Sequence, residues 1–206
     1  RRCPTAAVTL IERAPALAAL ARTNVDRNGL SQRVTVVEAD ITWPQSRLAP
    51  LGIAPAQFDH AIANPPFHIA GAVRAARHAL KADAMRFAEG DLDRWLRFLA
   101  AVVRPGGTVT VIHRADALPA LLDAIGVRFG ALHILPLHPR ADTPANRILV
   151  RGTKGSRGPL TLLPGLTLHD RRGAYLPLVE AILRSPMPLV WPCGGENASI
   201  SNPPRN

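Results

Sequence analysis

Cysteine is nearly absent: two in 206 residues, Cys3 and Cys193, close to opposite ends of the chain. With no CxxC pair, no HExxH and no Cys/His cluster, a zinc site is not expected, and the thiols read as incidental ones in a cytosolic protein. Long apolar runs are missing too. Nothing approaches the roughly 18 consecutive apolar residues that a membrane span needs, and no signal peptide is expected at the start. Acidic residues are scarce, 15 against 25 lysines and arginines, for a net charge of +10. That imbalance favours an anionic partner. A chain rich in Ala, Arg, Pro and Gly also acquires such a charge from base composition alone, so charge by itself leaves the partner open.

What is present is an alternation of short apolar runs and amphipathic segments, enough for one α/β domain with a sizeable core. Val8-Thr9-Leu10-Ile11 is β-branched and apolar, a strand ending at Glu12. Ala14 to Asn28 reads as a helix with Pro15 in its first turn, Leu17, Leu20, Ala21 and Val25 as its apolar stripe, and Asn28-Gly29 as its stop. Val34 to Val37 is the next strand, followed by Glu38-Ala39-Asp40. Strand, helix and strand with short links predict a parallel βαβ unit. A Pro-rich stretch from Trp43 to Gln57 leads to a third strand, Phe58 to Ala63. Residues 68–90 read as a basic substrate loop with a helical turn. Asp91 opens a helix through Val103, with Leu92, Trp95, Leu96, Leu99 and Val102 inward. Pro105-Gly106-Gly107 turns into the strand Thr108 to His113, and Ala115 to Ile125 is another helix. Phe129 to Leu137 and Arg147 to Gly152 predict a closing antiparallel pair. Leu160 to Leu163 reads as an edge strand and Tyr175 to Leu183 as a short last helix. Residues 1–184 form the domain. Residues 185–206, mostly Pro, Gly, Ser and Asn, read as a disordered tail.

The stretch with the most chemistry is Asn64-Pro65-Pro66-Phe67. Neither proline has an N–H for a ladder, and Pro65 biases Asn64 away from helical geometry. A stiff loop results at the carboxyl end of a strand, where open α/β sheets bind their ligands. An exocyclic amine on a base is a poor nucleophile because its lone pair is delocalised. The Asn64 side-chain oxygen and the Pro65 carbonyl can accept its two hydrogens and aim the lone pair at an electrophilic methyl group, while Phe67 stacks on the flat ring. The plainer reading of the same residues is a proline-rich turn ending a strand, with Phe67 in the core. Glu12 and Asp40 end the two preceding strands. A carboxylate at such a position can accept ribose hydroxyls, Asp40 can accept an adenine amine, and Ile41 can pack on the ring. Each acid on its own also reads as a solvated loop residue.

From about Val8 to Arg184 the chain resembles the S-adenosylmethionine-dependent amino-group methyltransferases, whose motif is Asn-Pro-Pro-Phe after an Asp-containing strand. It is most similar to the small bacterial tRNA adenine-N6 methyltransferases that modify a base beside the anticodon. His113-Arg114, the Leu135 to Arg140 turn and Pro144 to Arg147 carry that finer resemblance. The resemblance implies a doubly wound, Rossmann-like class I methyltransferase sheet, mostly parallel with a terminal antiparallel strand. It implies S-adenosylmethionine as cofactor, held by Glu12, Asp40, Ile41 and Asn64, and no metal. Asn64, Pro65, Pro66 and Phe67 are the implied catalytic loop, and tRNA the implied partner. Arg140, Arg147, Arg151 and Lys154, with Arg157, could make a phosphate-binding strip; the same residues also read as a scattered solvated face. Guanine N2 in ribosomal RNA, a glutamine amide in a protein factor, and a non-catalytic RNA-binding remnant are the alternatives.

The chain departs from this family in one large respect. The family places a strand and a glycine-rich loop, roughly D-x-G-x-G, about 20 residues ahead of the ribose acid. Only eleven residues precede Glu12, and Arg1 to Ala7 contain no glycine. The expectation is therefore a sheet without its first strand, and two inner strands left with unpaired backbone groups, each costing about 1–3 kcal/mol if buried. The chain reads either as the remainder of a longer protein or as a degenerate product with weak cofactor binding.

Overall fold

The computed structural model describes residues 3–65, 91–185 and 187–189. The expected loop at 68–90 and nearly all of the expected tail lie outside them. The strands are β1 (Val8–Glu12), β2 (Val34–Glu38), β3 (Phe58–Ala63), β4 (Val103–Arg114), β5 (Phe129–His138), β6 (Arg147–Lys154), β7 (Thr161–Leu162) and β8 (Leu166–Thr167). The helices are α1 (Pro15–Arg27), α2 (Gln45–Leu48), α3 (Asp91–Val102), α4 (Leu118–Gly126) and α5 (Pro177–Arg184). Short 3-10 turns follow α2 at Ala49–Leu51 and precede α4 at Ala115–Ala117.

Local chemistry accounts for the boundaries. Pro15 occupies the first turn of α1, where its missing N–H costs nothing, and Gly29 just past the helix takes a positive φ of 63°. Gly107 permits a close backbone approach in β4: a Cβ there would sit 2.7 Å from both Asp59 O and Val103 Cγ1. The turn expected at Pro105 to Gly107 is a bulge inside β4 rather than a break before it. Phe58 pairs with Val103, but His60 already pairs with Thr108, so β4 accommodates the extra residues there.

The strands form two sheets. β1 pairs β2 in parallel. β3, β4, β6 and β5 form the other in that order, with β3–β4 parallel and β6 antiparallel to both neighbours. β7 and β8 extend it beside β5. No ladder joins β1 to β3 among the described residues. Together they form a doubly wound, Rossmann-like sheet, mostly parallel in its first half.

Alternation along the strands separates two apolar layers. One packs Val109, Val111, Ile134 and Val150 against Leu48 of α2 and Ile53 beyond it, Leu96 and Leu99 of α3, and Leu121 and Ile125 of α4; Val37 and Ile11 join it from the small sheet. The opposite face carries Leu135 and Leu137 with Leu163, Leu166 and Val179. The expected stripe of α1 is only partly correct. Ala18 and Val25 are buried, but Leu17 and Leu20 are exposed, Leu20 at 55%. The helix buries its Ala18–Val25 line, and among the described residues nothing covers its leucine flank.

Candidate active site

The polar groups of interest lie at the carboxyl ends of β1 to β4. Glu12, the last residue of β1, is in register with Glu38, the last of β2, and Asp40 follows two residues later. Both acids are half-buried. Glu12 Oε1 accepts the N–H of Ala14 at 2.7 Å, which fixes the turn into α1. Asp40 Oδ1 accepts the N–H and the hydroxyl of Thr42 at 2.8 and 2.7 Å. One oxygen of each carboxylate thus holds its own loop. Ile41 is half-buried against the main core.

β3 ends one residue before Asn64. Ala63 pairs with Val111, so Asn64 lies beside the last turn-ward residues of β4, Ile112 to Arg114. Asn64 is exposed and Pro65 is almost fully buried. A buried ring next to an exposed carboxamide pins the loop while leaving the amide available. Pro66 and Phe67 lie outside the described residues, so the two readings of Phe67 stand as they were.

One residue at this edge has no role assigned by motif. His113 is the third inward position of β4 after Val109 and Val111, and it is buried. Burial holds its imidazole below the usual histidine range, so a neutral ring sits at the carboxyl end of the strand beside Asn64. Strict alternation along β4 was the available signal. Arg114, next in sequence, is tied to Asp116, whose carboxyl is held below the usual range by that arginine.

The four basic candidates do not share one edge. Arg147 begins β6 opposite Arg114 and Leu137, at the Asn64 end of the sheet. Arg140 is exposed in the loop after β5, which is pinned by His138 Nδ1 donating to Thr143 O at 2.9 Å and His169 Nδ1 donating to Pro139 O at 3.2 Å. Arg151 lies mid-sheet between Thr110 and His133. Lys154 pairs with Phe129 at the far end and donates its Nζ to Val103 O at 2.7 Å. From Arg147 to Lys154 the strand advances about 23 Å, at ~3.3 Å per residue. Arg157 follows in the loop beyond Lys154. A continuous phosphate strip through all of them is therefore not what the strand presents, because its direction carries successive basic residues away from the site.

Glu12, Asp40 and Asn64 all lie at or just past the carboxyl ends of strands, where open α/β sheets bind their ligands. Comparison narrows the class. The chain is similar to a predicted O-methyltransferase, protein Atu636 of Agrobacterium tumefaciens: 30% identity, 86% of this chain and 77% of that one, TM-score 0.70. It shares its fold with the tRNA methyltransferase TrmI of Aquifex aeolicus at 15% identity, over 73% of this chain and 54% of that one, TM-score 0.50. A methyltransferase from Pyrococcus furiosus superposes equally well, at 16% identity over 73% and 64% of the two chains, TM-score 0.50. No family model matches the sequence, and no curated protein does. The chain belongs to the S-adenosylmethionine-dependent methyltransferases. Among the described residues no helix is long and apolar enough to cross a membrane, and no His/Cys/Asp/Glu group is placed to hold a metal.

Proposed function

We propose that this methyltransferase acts on an exocyclic amine, and that its acceptor is N6 of an adenine in tRNA. The observation that carries the reading is Asn64, an exposed carboxamide held by a buried proline at the carboxyl end of β3. The residues fit the nucleoside half of the donor. The second carboxylate oxygen of Glu12, which has no partner among the described residues, would take ribose hydroxyls, that of Asp40 the adenine amine, and Ile41 offers an apolar flank. The bound cofactor supplies an electrophilic methyl group on a sulfonium. Asn64 Oδ1 and the Pro65 carbonyl accept the two hydrogens of the acceptor amine and point its lone pair outward. Phe67 stacks on the base. After transfer the nitrogen loses a proton to solvent, so no strong base is required, and the chain's contribution is positioning. Arg140 and Arg147 are the basic candidates for meeting a phosphate backbone at this edge, and the charge of +10 favours an RNA partner.

A hydroxyl acceptor is the second reading, favoured by the 30% identical relative described as a predicted O-methyltransferase. Tritium-labelled donor with tRNA, ribosomal RNA and a protein release factor as competing acceptors decides, followed by nucleoside and amino-acid analysis. The expected product is N6-methyladenosine from tRNA. Label in a methyl ether, in N2-methylguanosine or in a glutamine side chain overturns the proposal.

A further inference from the structure

A short hairpin stands at the same edge of the sheet as Asn64, and the proposed chemistry does not use it. β8 runs parallel to β5 and pairs Leu166 and Thr167 with Leu137 and His138, the last residues of β5. Leu137 in turn pairs with Arg147, which pairs with Arg114 at the end of β4. The chain leaving β8 therefore emerges at the carboxyl edge. It folds back at once: Asp170 N–H donates to Ala174 O at 2.9 Å, Leu176 N–H donates to Leu168 O at 3.0 Å, and His169 and Tyr175 form an antiparallel bridge. Asp170 closes the turn, because its Oδ1 accepts the N–H groups of Arg172 and Ala174 at 2.8 and 2.9 Å.

Two more bonds seat the hairpin beside Arg140. Leu168 N–H donates to His138 O at 2.8 Å, and His169 N–H donates to Pro139 O at 3.1 Å. This corner presents one aromatic ring and three cations. Tyr175 stacks on His169, with ring centroids 4.6 Å apart and planes at 26°, yet Tyr175 remains 45% exposed. The imidazole covers one face of the phenol, and the exposed remainder is the other face and the rim. Arg140, Arg171 and Arg172 are exposed, and none of them forms an ion pair among the described residues. The acids on these loops are Asp142, exposed, and Asp170, whose Oδ1 is occupied by the turn.

We propose that residues 168–176 are a stacking platform for an unpaired RNA base beside the methyl acceptor, with Tyr175 under the base and Arg140, Arg171 and Arg172 on the adjoining phosphates. A fixed aromatic face ringed by guanidinium groups suits single-stranded nucleic acid, since every base has a π-face and every nucleotide a phosphate. A stacked duplex hides those faces, so the ligand is a loop or an end. The neighbours of Tyr175 argue against other occupants. Arg171, Arg172, Gly173 and Ala174 supply no apolar anchor for a protein interface, and a hairpin tip is too convex to enclose a small molecule. β8 lies four strands from β3 in the order β3, β4, β6, β5, β8, or about 19 Å at ~4.8 Å per strand. The base held here is thus a neighbour of the one presented to Asn64. The assignment rests on the reading of the acceptor as RNA.

Tyr175 is the only tyrosine in the chain, so the full chain grown with 3-fluorotyrosine carries one fluorine signal, at the platform. The probe is an unstructured oligouridine with one central adenine, and its control is a matched abasic oligomer with the same phosphates. Without methyl donor, the RNA should move the fluorine signal in step with binding measured by fluorescence anisotropy, and the abasic oligomer should leave it in place. Tyr175→Ala should weaken RNA binding at least about fivefold and Tyr175→Phe by less than about twofold, as one lost or kept stack requires. Arg171→Gln with Arg172→Gln should lower the salt slope of binding by about 1.4, at ~0.7 per phosphate. The proposal is overturned if RNA binds without moving the signal, if the abasic oligomer moves it equally, if Tyr175→Ala binds like the parent chain, or if no RNA binds at low salt. Methylation is scored separately. RNA that moves the signal but is never methylated removes the acceptor assignment and leaves the platform, and methylated RNA that leaves the signal in place does the reverse.

Discussion

The two halves of the sheet are built from the same materials and are not equally finished. β4 has a partner on each side, and its inward residues Val103, Val109 and Val111 are completely buried. Among the described residues β1 pairs only with β2, and it exposes Val8 and Leu10. Both strands are β-branched and apolar, so the contrast arises from their neighbours rather than from composition. Burial in a sheet is a collective property: a strand contributes its hydrophobic surface only when flanked and covered. The division also falls across the proposed site, with Glu12 and Asp40 at the carboxyl end of the small sheet and Asn64 just past β3 of the large one.

The largest effect should come from removing the same side chain in each half. Leu96 is fully buried in α3 and Leu20 is mostly exposed on α1. Leu96→Ala should cost about 2–5 kcal/mol, from lost transfer energy and the cavity left behind. Leu20→Ala should stay within about 0.5 kcal/mol. Urea unfolding of both variants measures the gap, and similar losses would show that the two halves are equally well packed.

Next in size is Asn64. Asn64→Ala removes an acceptor for the amine and leaves the acids of the small sheet intact. Methyl transfer should fall at least tenfold, about 1.4 kcal/mol, with donor affinity within a few fold. Asp40→Ala should do the reverse, weakening donor binding first. A variant that damages both equally in turnover and equilibrium-binding assays would dissolve the division of labour.

Much of this was legible in the sequence. Apolar runs bounded by Pro and Gly gave β3 at Phe58–Ala63 and placed α1 and the β5–β6 pair within a few residues, because period-2 and period-3.6 patterns depend on the chain alone. Three features were not legible for physical reasons. The stripe of α1 depends on the width of the sheet beneath it, which periodicity does not contain. The Pro105–Gly107 turn became a bulge because β3 supplies a ladder on both sides of it. The basic residues of β6 looked like one strip because sequence proximity hides direction: Arg147 and Lys154 sit at opposite ends of a strand.

That separation gives a smaller, sharper test. Arg140→Gln and Arg147→Gln should each weaken tRNA binding and reduce the salt dependence of the binding constant by about one unit of slope. Lys154→Gln should leave that slope unchanged and instead lower thermal stability, since it removes the bond to Val103 O. Salt titrations by filter binding beside thermal melts would reveal an equal change in slope for all three if the strip were continuous after all.

The smallest expected effect is a pH dependence. Burial depresses the folded-state pKa of His113, so the unfolded chain binds more protons than the folded one between the two values. The stability this gives is complete above the unfolded value of about 6.5 and is lost as pH falls from there through the folded value. His113→Gln should flatten the stability curve in that window. Loss from Asp59 and Asp116, both held low by arginine partners, begins only in the more acidic carboxylate range. An unaltered slope around pH 6 in the variant would assign the dependence to another group.

The central claim is that the donor lies along the carboxyl edge, with the acids of the small sheet on its nucleoside and Asn64 beside the reacting methyl. Titrating the isotopically labelled full chain with S-adenosylmethionine and following backbone amide resonances tests it directly, even for millimolar affinity. The account predicts concerted shifts at Glu12 to Ala14 and Asp40 to Trp43, a smaller one at Asn64, and none at Phe129 or Lys154. Shifts centred on Phe129 and Lys154, with Glu12 and Asp40 unmoved, would contradict it.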